Sequence, residues 1–445
     1  MNSTKTLIPP VRPPVVEAMG RYRWTICALL FAATTINYID RQILSLIKPI
    51  LEDQFKWTNS DFGLVNGAFQ GAYGLGLLGF GWFIDRFGTK VGYAVSITAW
   101  SAMAMAHALV GSFAGFVMVR MGLGLGEGGN FPSAIKAVAL WFPKKERALA
   151  TSIFNSGANV GAIIAPAVVP WMVLTWGWRS AFVSAGIAGL LWLFFWIPFY
   201  NVPDKIKQLG QAERDFIHSD RDEAAGDAAK KPSWPSLLKY RQTWSFIVAK
   251  FMTDPIWWFF LIWLPDYFTK TRGLDIKQGS VHLVVIYVII TVLSIFGGWV
   301  TGFLTKRGWT VTRARKTGMF IFACCVVPIC GVTKVGIWPA VLLIGLAGAS
   351  HQAWSANLFT TVSDMFPKHA VASVIGMGGM AGATGGMLFP YYCGKLLDKF
   401  TAVGNVTGGY LVLFSICAFA YLVAFAVQHL LAPRFEPFKL DRPGE

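Results

Sequence analysis

Charged residues interrupt the apolar segments of this chain at a few places, and their types suit the handling of a small anion and of protons. The stretch INYIDRQILS places Asp40 beside Arg41, and the stretch RMGLGLGE runs from Arg120 to Glu127. An Arg guanidinium stays charged and can hold a carboxylate through two parallel hydrogen bonds. A carboxylic acid withdrawn from water can exchange a proton near neutral pH. Together these residue types indicate a site for an organic anion, with acids that carry protons.

The segments that hold these charges are long enough to cross a lipid bilayer. Of the 445 residues, 54% are hydrophobic and only 14% are charged, and the mean hydropathy is +0.50. A membrane helix needs about 20 apolar residues, and twelve such runs can be identified. The sequence therefore predicts an all-α membrane protein with twelve transmembrane helices in a lipid bilayer. The runs cover residues 22–45, 61–83, 91–110, 113–141, 150–173, 179–199, 244–268, 281–304, 317–333, 336–365, 371–394 and 408–430.

The net charge of +16 is distributed unevenly between the two sides of these spans. Lys and Arg concentrate in segments that share one side, above all at 143–147, 201–243 and 305–316. Because cytoplasmic loops carry the excess of Lys and Arg, both termini are predicted to be cytoplasmic. The basic charge then reports membrane topology, and no nucleic-acid partner is expected. Residues 1–20 are polar and rich in Pro, so the first span is expected to be a retained helix.

The two halves of the chain repeat each other. WFPKKERALAT returns as MFPKHAVAS, with Pro143 matching Pro367, and Pro166 matches Pro390 in the following helix. GWFIDRFGTK returns in degenerate form as GFLTKRG. A parallel repeat of six helices is typical of transporters built from two pseudo-symmetric halves, with the substrate site between them. The predicted organisation is a cytoplasmic tail at 1–21, a six-helix half at 22–200, a cytoplasmic loop at 201–243, a second six-helix half at 244–431 and a cytoplasmic tail at 432–445.

No motif indicates an enzyme, a metal site or a cofactor. The sequence has no P-loop and no HExxH motif, and the glycines of GLGLGEGG lie inside a membrane span, where they favour close helix packing. The six cysteines have no CxxC or Cys/His spacing, so we expect them to be small buried hydrophobic residues. The polar central segment is too short for a signalling domain, which argues against a sensor. The cysteines are Cys27, Cys324, Cys325, Cys330, Cys393 and Cys417.

Several motifs carry a resemblance to a known family. GWFIDRFGTK, between the second and third spans, resembles the signature loop of the major facilitator superfamily. NYIDR, Tyr73, RMGLGLGE and WFPKKERALATSIFNSG are similar to the anion:cation symporter family within it. HQAWSANLFTTVSDMF and KFMTDPIWW resemble the bacterial hexuronate carriers. The resemblance implies that the signature loop latches the two halves together in the outward-open state, through Gly81, Asp85, Arg86, Gly88 and Lys90.

The resemblance implies a secondary active transporter that takes up an organic anion with protons by alternating access. The expected substrate is a hexuronate, galacturonate or glucuronate, and the expected location is the inner cell membrane, with the chain acting as a monomer. Another sugar acid or carboxylate, such as galactonate, glucarate, galactarate or tartrate, stays open as an alternative substrate. An uncoupled anion exchanger also stays open, although two buried carboxylates favour proton coupling.

Roles for the buried charges follow from their chemistry and from the family. Arg120 and Glu127 lie two turns apart on one helix face, and the first and fourth spans are neighbours in this fold. The four residues Asp40, Arg41, Arg120 and Glu127 are therefore expected to line one cavity. Arg120 is expected to hold the substrate carboxylate, and Asp40 and Glu127 to be the proton-coupling acids. Arg41 is predicted to pair with ionised Asp40 and to be released on protonation. The alternative is that the four residues form a purely structural ion-pair cluster.

Other polar residues of the spans could contact a sugar acid. Tyr38 and Tyr73 offer hydroxyls, and Lys250 is either a second cation for the substrate or the partner of Asp254 one helical turn away. Trp354 could stack on a sugar ring, although packing is the more common role for a tryptophan in a membrane helix. The residues predicted to bind substrate are Tyr38, Arg41, Tyr73, Arg120, Lys250, His351, Trp354 and Asn357.

Overall fold

The computed structural model of the protein describes residues 20–219 and 234–436, and these residues form helices and no strand. The predicted tails at 1–21 and 432–445 lie largely outside the described residues, as does a part of the predicted loop at 201–243. The helices are α1 (Tyr22–Leu46), α2 (Lys48–Phe55), α3 (Asn59–Phe87), α4 (Thr89–Ala106), α5 (Phe113–Glu127), α6 (Asn130–Trp141), α7 (Lys144–Trp176), α8 (Trp178–Phe199), α9 (Gln211–His218), α10 (Trp234–Leu237), α11 (Arg241–Arg272), α12 (Ile276–Lys306), α13 (Val311–Val326), α14 (Ile337–Met365), α15 (Lys368–Ala402) and α16 (Val406–Leu431).

The helices follow the twelve predicted spans with two differences. The fourth span is divided into α5 and α6 at Gly128 and Gly129, and the ninth continues from α13 into a 3-10 helix at Val327–Lys334. Six of the described helices are long and apolar enough to cross a membrane by length and composition alone. Large apolar side chains, among them Leu75, Trp82 and Phe194, are exposed on the surface of the bundle. Such exposure suits a surface that faces lipid instead of water.

The repeat seen in the sequence recurs in the backbone. Pro143 and Pro367 occupy the position before the first turn of α7 and of α15, with φ of −62° at both and ψ of 155° and 149°. Gly88, between α3 and α4, and Gly308, between α12 and α13, both have φ of +84°. An L-residue rarely adopts that φ, so glycine is needed at the same turn in each half. The twelve helices therefore form two pseudo-symmetric six-helix halves, as predicted.

The glycine-rich stretch at the end of α5 serves packing, as predicted. A Cβ at Gly124 would lie 2.4 Å from the carbonyl oxygen of Phe69, and a Cβ at Gly128 would lie 2.4 Å from the carbonyl carbon of Gly76. No side chain fits in that space, so glycine alone allows α5 to approach the backbone of α3 this closely. This close packing fixes the position of Glu127, which lies between the two glycines in the sequence.

Ion pairs join the two halves at one end of the bundle. We call this end, where α1 ends and α3 begins, the distal end. The Nζ of Lys48 lies 2.6 Å from Asp266, 2.8 Å from Glu52 and 2.7 Å from the side-chain oxygen of Asn59. Lys270 lies 2.9 Å from Glu52 and 3.6 Å from Asp266. Because Lys48 and Asp266 are 0% exposed, this pair is withdrawn from solvent.

A second contact at the distal end joins α3 to α15. The carboxylate of Asp398 accepts hydrogen bonds of 2.9 Å from the backbone N–H groups of Asn59 and Ser60, and it also contacts both of their side chains. The first N–H groups of a helix have no partner within the helix and attract negative charge. Asp398 of one half therefore caps a helix of the other half.

The cysteines differ in part from the prediction. Cys27, Cys393 and Cys417 are buried, as expected for small apolar residues, whereas Cys324 is exposed on the surface of the bundle. Cysteine behaves as a small hydrophobic residue, so it suits both the interior of the protein and a surface that faces lipid.

Candidate functional site

The four buried charges predicted from the sequence lie together between α1 and α5. The Nε of Arg41 donates to a carboxylate oxygen of Glu127 at 2.6 Å, and both side chains are almost fully buried. The predicted pair of Arg41 with Asp40 is not formed. Successive residues of a helix point about 100° apart, so Arg41 reaches α5 while its neighbour does not share that contact.

Asp40 has an unusual environment. Its side chain is 2% exposed, and among the described residues neither carboxylate oxygen accepts a hydrogen bond. An ionised carboxylate that is buried without a partner is strongly unfavourable. Asp40 is therefore a candidate to carry a proton, whereas Glu127 already has a guanidinium as its partner.

Arg120 lies beside the Arg41–Glu127 pair and is 1% exposed. Its Nη2 donates to the carbonyl oxygen of Arg41 at 3.1 Å and to the side-chain oxygen of Asn66 at 3.4 Å. Its Nε and Nη1 have no hydrogen-bond partner in the described part of the chain. A buried guanidinium with unused N–H donors can receive an anionic group, because a carboxylate satisfies both the charge and the donors.

A cavity of about 660 Å³ lies between the two halves. Its wall is formed by α1 and α7 from the first half and by α11, α12 and α14 from the second. Several of these side chains carry hydroxyl, amide, imidazole or indole groups, which suit a polar ligand with several hydroxyls. The lining residues are Tyr38, Ser152, Asn155, Ser156, Ala158, Asn159, Lys250, Asp254, Trp257, Trp258, Thr291, Ser294, Ile295, His351, Gln352, Ser355 and Ala356.

The buried charges lie behind this cavity and not in its wall. Of the residues near Arg41, Tyr38 lines the cavity, and the guanidinium carbon of Arg41 lies 5.0 Å from the centre of its ring. Tyr73 contacts Arg41 from α3, at 4.5 Å, and is not part of the wall. The expectation that Asp40, Arg41, Arg120 and Glu127 line one cavity therefore needs correction, because the aromatic rings separate the charges from the open space.

Lys250 is paired with Asp254 and also lines the cavity, so its predicted contact with substrate stays a prediction. Its Nζ lies 2.6 Å from Asp254 along α11, and both side chains line the cavity. The Nζ also lies 4.3 Å from the centre of the Phe359 ring. A cation that faces a cavity between an acid and an aromatic ring remains able to exchange that acid for a ligand carboxylate.

The predicted residues of α14 are placed differently from one another. His351 lines the cavity, its Nδ1 is bonded to the hydroxyl of Tyr421, and its ring is stacked on Trp257 with centroids 5.5 Å apart. Trp354 is 0% exposed and packs edge-on against Tyr421, so its predicted stacking on a sugar ring is wrong for this arrangement. Asn357 is 3% exposed and donates to a backbone carbonyl one turn earlier, away from the cavity wall.

Among the described residues, the ion pair of the signature loop joins two residues of the same half. Asp85 is paired with Lys136 of α6 at 2.7 Å, and Lys136 also donates to the carbonyl oxygen of Ile84. Arg86 is exposed, and the carbonyl oxygen of Lys90 accepts a hydrogen bond from the indole of Trp196. Gly81 has open space around its Cα, and Gly88 forms the turn described above. The predicted latch between the halves stays a prediction.

The comparison with known families decides the classification of the chain. Residues 30–390 match the Major Facilitator Superfamily. The chain belongs to this superfamily. It is therefore a multi-pass membrane transporter and not an enzyme, as the sequence predicted.

Two curated relatives are similar over long stretches. The hexuronate transporter of Escherichia coli K12 is 30% identical over 381 residues, which are 84% of this chain and 88% of that protein. The galacturonate transporter of Dickeya chrysanthemi is 31% identical over 258 residues, 58% of this chain and 74% of that protein. Among solved structures, a bacterial homolog of the human lysosomal transporter Spinster has a TM-score of 0.73 at 16% identity, covering 94% of this chain and 98% of that one. These similarities support a transporter of sugar acids with the fold of this superfamily.

Sequence reasoning missed several residues of the transporter that now stand out. Trp257 and Trp258 line the cavity, although the stretch PIWW by itself indicates only a family resemblance. Lys48 and Asp266 form the buried pair at the distal end. A charge beside the end of a predicted span is an ordinary feature, so the signal for Lys48 in the sequence is its proximity to the apolar segment.

Proposed function

We propose that this member of the superfamily takes up a hexuronate, galacturonate or glucuronate, together with protons by alternating access. One observation carries the proposal. A polar cavity lies between the two halves, and behind it lie a buried carboxyl group with no hydrogen-bond partner among the described residues, an Arg–Glu pair and a second guanidinium. The cavity can hold a sugar acid. The buried acids behind the cavity can bind and release protons while the sugar acid is bound.

The cavity suits a ring-sized polar anion. Ligand pockets for small molecules are about 300–1,000 Å³ in volume, and the observed 660 Å³ lies within this range. Lys250 is the cation in the described wall, so it would meet the carboxylate of a uronate in this state, whereas Arg120 would hold that carboxylate in another state of the transport cycle. Asn155, Asn159 and Gln352 offer amides to the ring hydroxyls. A sugar phosphate, with its two negative charges, would be expected to need more than one cation in the wall.

The ion pairs between the halves suggest the state of the transporter. They lie at the distal end, whereas the cavity lies toward the end where α7 and α11 begin. We place the distal end outside the cell and both termini in the cytoplasm, as the distribution of Lys and Arg predicts. In this arrangement the cavity communicates with the cytoplasm and the outer side is closed.

Transport by the purified protein in proteoliposomes tests the proposal. Labelled galacturonate and glucuronate are offered with and without an inward proton gradient. Accumulation above the external concentration with the gradient is the expected result. Uptake that ignores the gradient would favour the alternative of an uncoupled exchanger, and transport of galactonate or tartrate without uronate transport would replace the substrate.

The buried pair at the distal end predicts a shift of the conformational equilibrium. Asp266→Asn removes one charge from a pair that joins the halves in this state, so the closed distal end should lose about 1–3 kcal/mol relative to the open state. Reaction of a cysteine introduced at Ser60 with a membrane-impermeant thiol reagent measures the opening, in a background without native cysteines. We expect faster labelling in the Asp266→Asn variant.

A matched substitution controls for this effect. Asp53→Asn changes an exposed acid in the same region, whose partner Lys56 is also exposed. An exposed pair contributes little to stability, so the labelling rate should stay at the wild-type value. Equal labelling rates in the wild type and the Asp266→Asn variant would contradict a role of this pair in closure.

Substitutions of Trp257 and Trp354 distinguish a tryptophan that lines the cavity from one that is buried beside it. Trp257→Phe removes the indole from the cavity wall and should raise the KM for the uronate about 3- to 10-fold, because the N–H contact and a part of the aromatic surface are lost. Trp354→Phe leaves the wall unchanged and should lower the melting temperature with little effect on KM, because a fully buried side chain becomes smaller. Substrate-dependent uptake rates and thermal unfolding of both variants separate the two roles. A larger change of KM for Trp354→Phe would restore the role predicted from the sequence.

A further inference from the structure

Four aromatic rings surround the guanidinium of Arg41. Its Cζ lies 5.0 Å from the ring centre of Tyr38, 5.4 Å from that of Phe69, 4.5 Å from that of Tyr73 and 5.3 Å from that of Trp258. A cation within about 6 Å of an aromatic face is attracted by it, most strongly away from water. These rings therefore stabilise the charge of Arg41 in the position where it pairs with Glu127.

The rings do not all belong to the same half. Tyr38 is on α1, and Phe69 and Tyr73 are on α3, so these three travel with Arg41 as parts of the first half. Trp258 is on α11, in the second half. Any movement of the halves against each other at this level changes the distance from Arg41 to Trp258 and leaves the other three rings in place.

Trp258 is itself held in position. A Cβ added at Gly386 of α15 would lie 2.9 Å from its Cδ1 and 3.1 Å from its Nε1, so the indole packs directly on a glycine of the second half. The side chain also lines the cavity next to Trp257. Trp258 thus contacts the substrate space on one side and the Arg41 guanidinium on another.

We propose that Trp258 is a positioning residue for proton coupling, through which the second half holds Arg41 against Glu127. The inference rests on the proposed function. While the distal end is closed, Trp258 is the fourth aromatic ring around Arg41 and favours the Arg41–Glu127 pair. When the halves rearrange, Trp258 moves away from Arg41, and Arg41 can separate from Glu127. The carboxylate of Glu127 can then bind a proton.

The titratable and charged groups around this assembly come from several helices. The side chain of Glu127 is paired with the guanidinium of Arg41, and Arg120 donates a hydrogen bond to the backbone carbonyl oxygen of Arg41. The cavity that Trp258 lines also contains an acid and a base of α11 and a histidine of α14. Among the described residues, these groups are Tyr38, Asp40, Tyr73, Arg120, Glu127, Lys250, Asp254 and His351.

Transport by Trp258→Leu, Trp258→Phe and wild-type protein in proteoliposomes tests the inference. The Leu variant has no aromatic face, so gradient-driven accumulation should fall about tenfold or more. Because Trp258 also lines the cavity, substrate exchange without a gradient is expected to fall in part as well. The readout is therefore the ratio of accumulation to exchange, both measured at saturating substrate, and this ratio should fall about tenfold relative to wild type. The Phe variant keeps an aromatic face and should restore most of the accumulation. Trp299→Leu, at an exposed position of α12, is the matched control and should transport like wild type.

The pH dependence of exchange gives a readout that a purely structural role would not move. The midpoint of the dependence should shift in Trp258→Leu and return toward the wild-type midpoint in Trp258→Phe. Accumulation by Trp258→Leu at the wild-type level would overturn the inference, as would an equal loss of exchange and accumulation in both variants. If Trp258→Leu does not fold, the Phe variant alone decides, because a wild-type midpoint together with a loss of accumulation would also overturn it. Wild-type uptake that ignores the gradient would be a failure of the proposed function itself.

Discussion

Replacing Arg120 by Lys is expected to weaken binding of the uronate about 10-fold or more, because the loss of one hydrogen bond to a charged group costs about 1.5–3 kcal/mol. The substitution keeps one positive charge but removes the planar donor group. In the structure two nitrogens of Arg120 have no partner among the described residues, while the third holds the carbonyl oxygen of Arg41 and the amide of Asn66. These free donors lie behind the cavity wall in this state, so a substrate carboxylate would reach them when the two halves rearrange. Titration calorimetry with galacturonate on the purified protein measures the change.

A second reading of Arg120 is purely structural, and the same variant separates the two. If Arg120 serves only to hold α1 through the Arg41 carbonyl, Arg120→Lys should lower the melting temperature and leave the affinity of the folded fraction unchanged. Arg179→Lys is the matched control, since Arg179 is exposed and donates to a backbone carbonyl as Arg120 does. Retained affinity in a stable Arg120→Lys protein would contradict the proposed contact with substrate.

The second large effect is expected for Asp40→Asn. An inward gradient of about two pH units can drive about 100-fold accumulation at one proton per substrate, and this accumulation should be lost in the variant. Exchange of labelled for unlabelled substrate should remain, because asparagine has nearly the shape of the protonated acid. The melting temperature should stay close to that of wild type, since among the described residues Asp40 makes no hydrogen bond that the substitution could break. Uptake with and without the gradient, together with thermal unfolding, measures these changes.

Glu127→Gln serves as the contrasting variant. It should also lose accumulation and keep exchange, but it leaves the Arg41 guanidinium without its anionic partner, so it should be less stable than Asp40→Asn. Wild-type accumulation by Asp40→Asn would exclude Asp40 as a coupling acid and leave the role to Glu127. Loss of exchange in both variants, with unfolding at lower temperature, would favour the purely structural ion-pair cluster.

Much of the architecture could be predicted without coordinates, because it depends on local patterns. The apolar runs predicted the spans, and the shared Pro143 and Pro367 turns predicted the repeat that the backbone shows. The glycines around Glu127 were interpreted as packing residues, and Gly124 and Gly128 do lie against α3. In each case the decisive interaction lies within one helix, one turn or one pair of neighbouring helices.

The sequence by itself determined the fold class, the superfamily and the identities of the buried charges, since the price of burying charge in lipid makes such residues conspicuous in any apolar span. Only the tertiary structure decided which of them meet. Arg41 pairs with Glu127 and not with its neighbour Asp40, and Trp257 faces the cavity while Trp354 is buried. These outcomes depend on the rotation of each helix about its axis and on the contact between the two halves. Neither is encoded in local spacing, because residues far apart in sequence supply the partners.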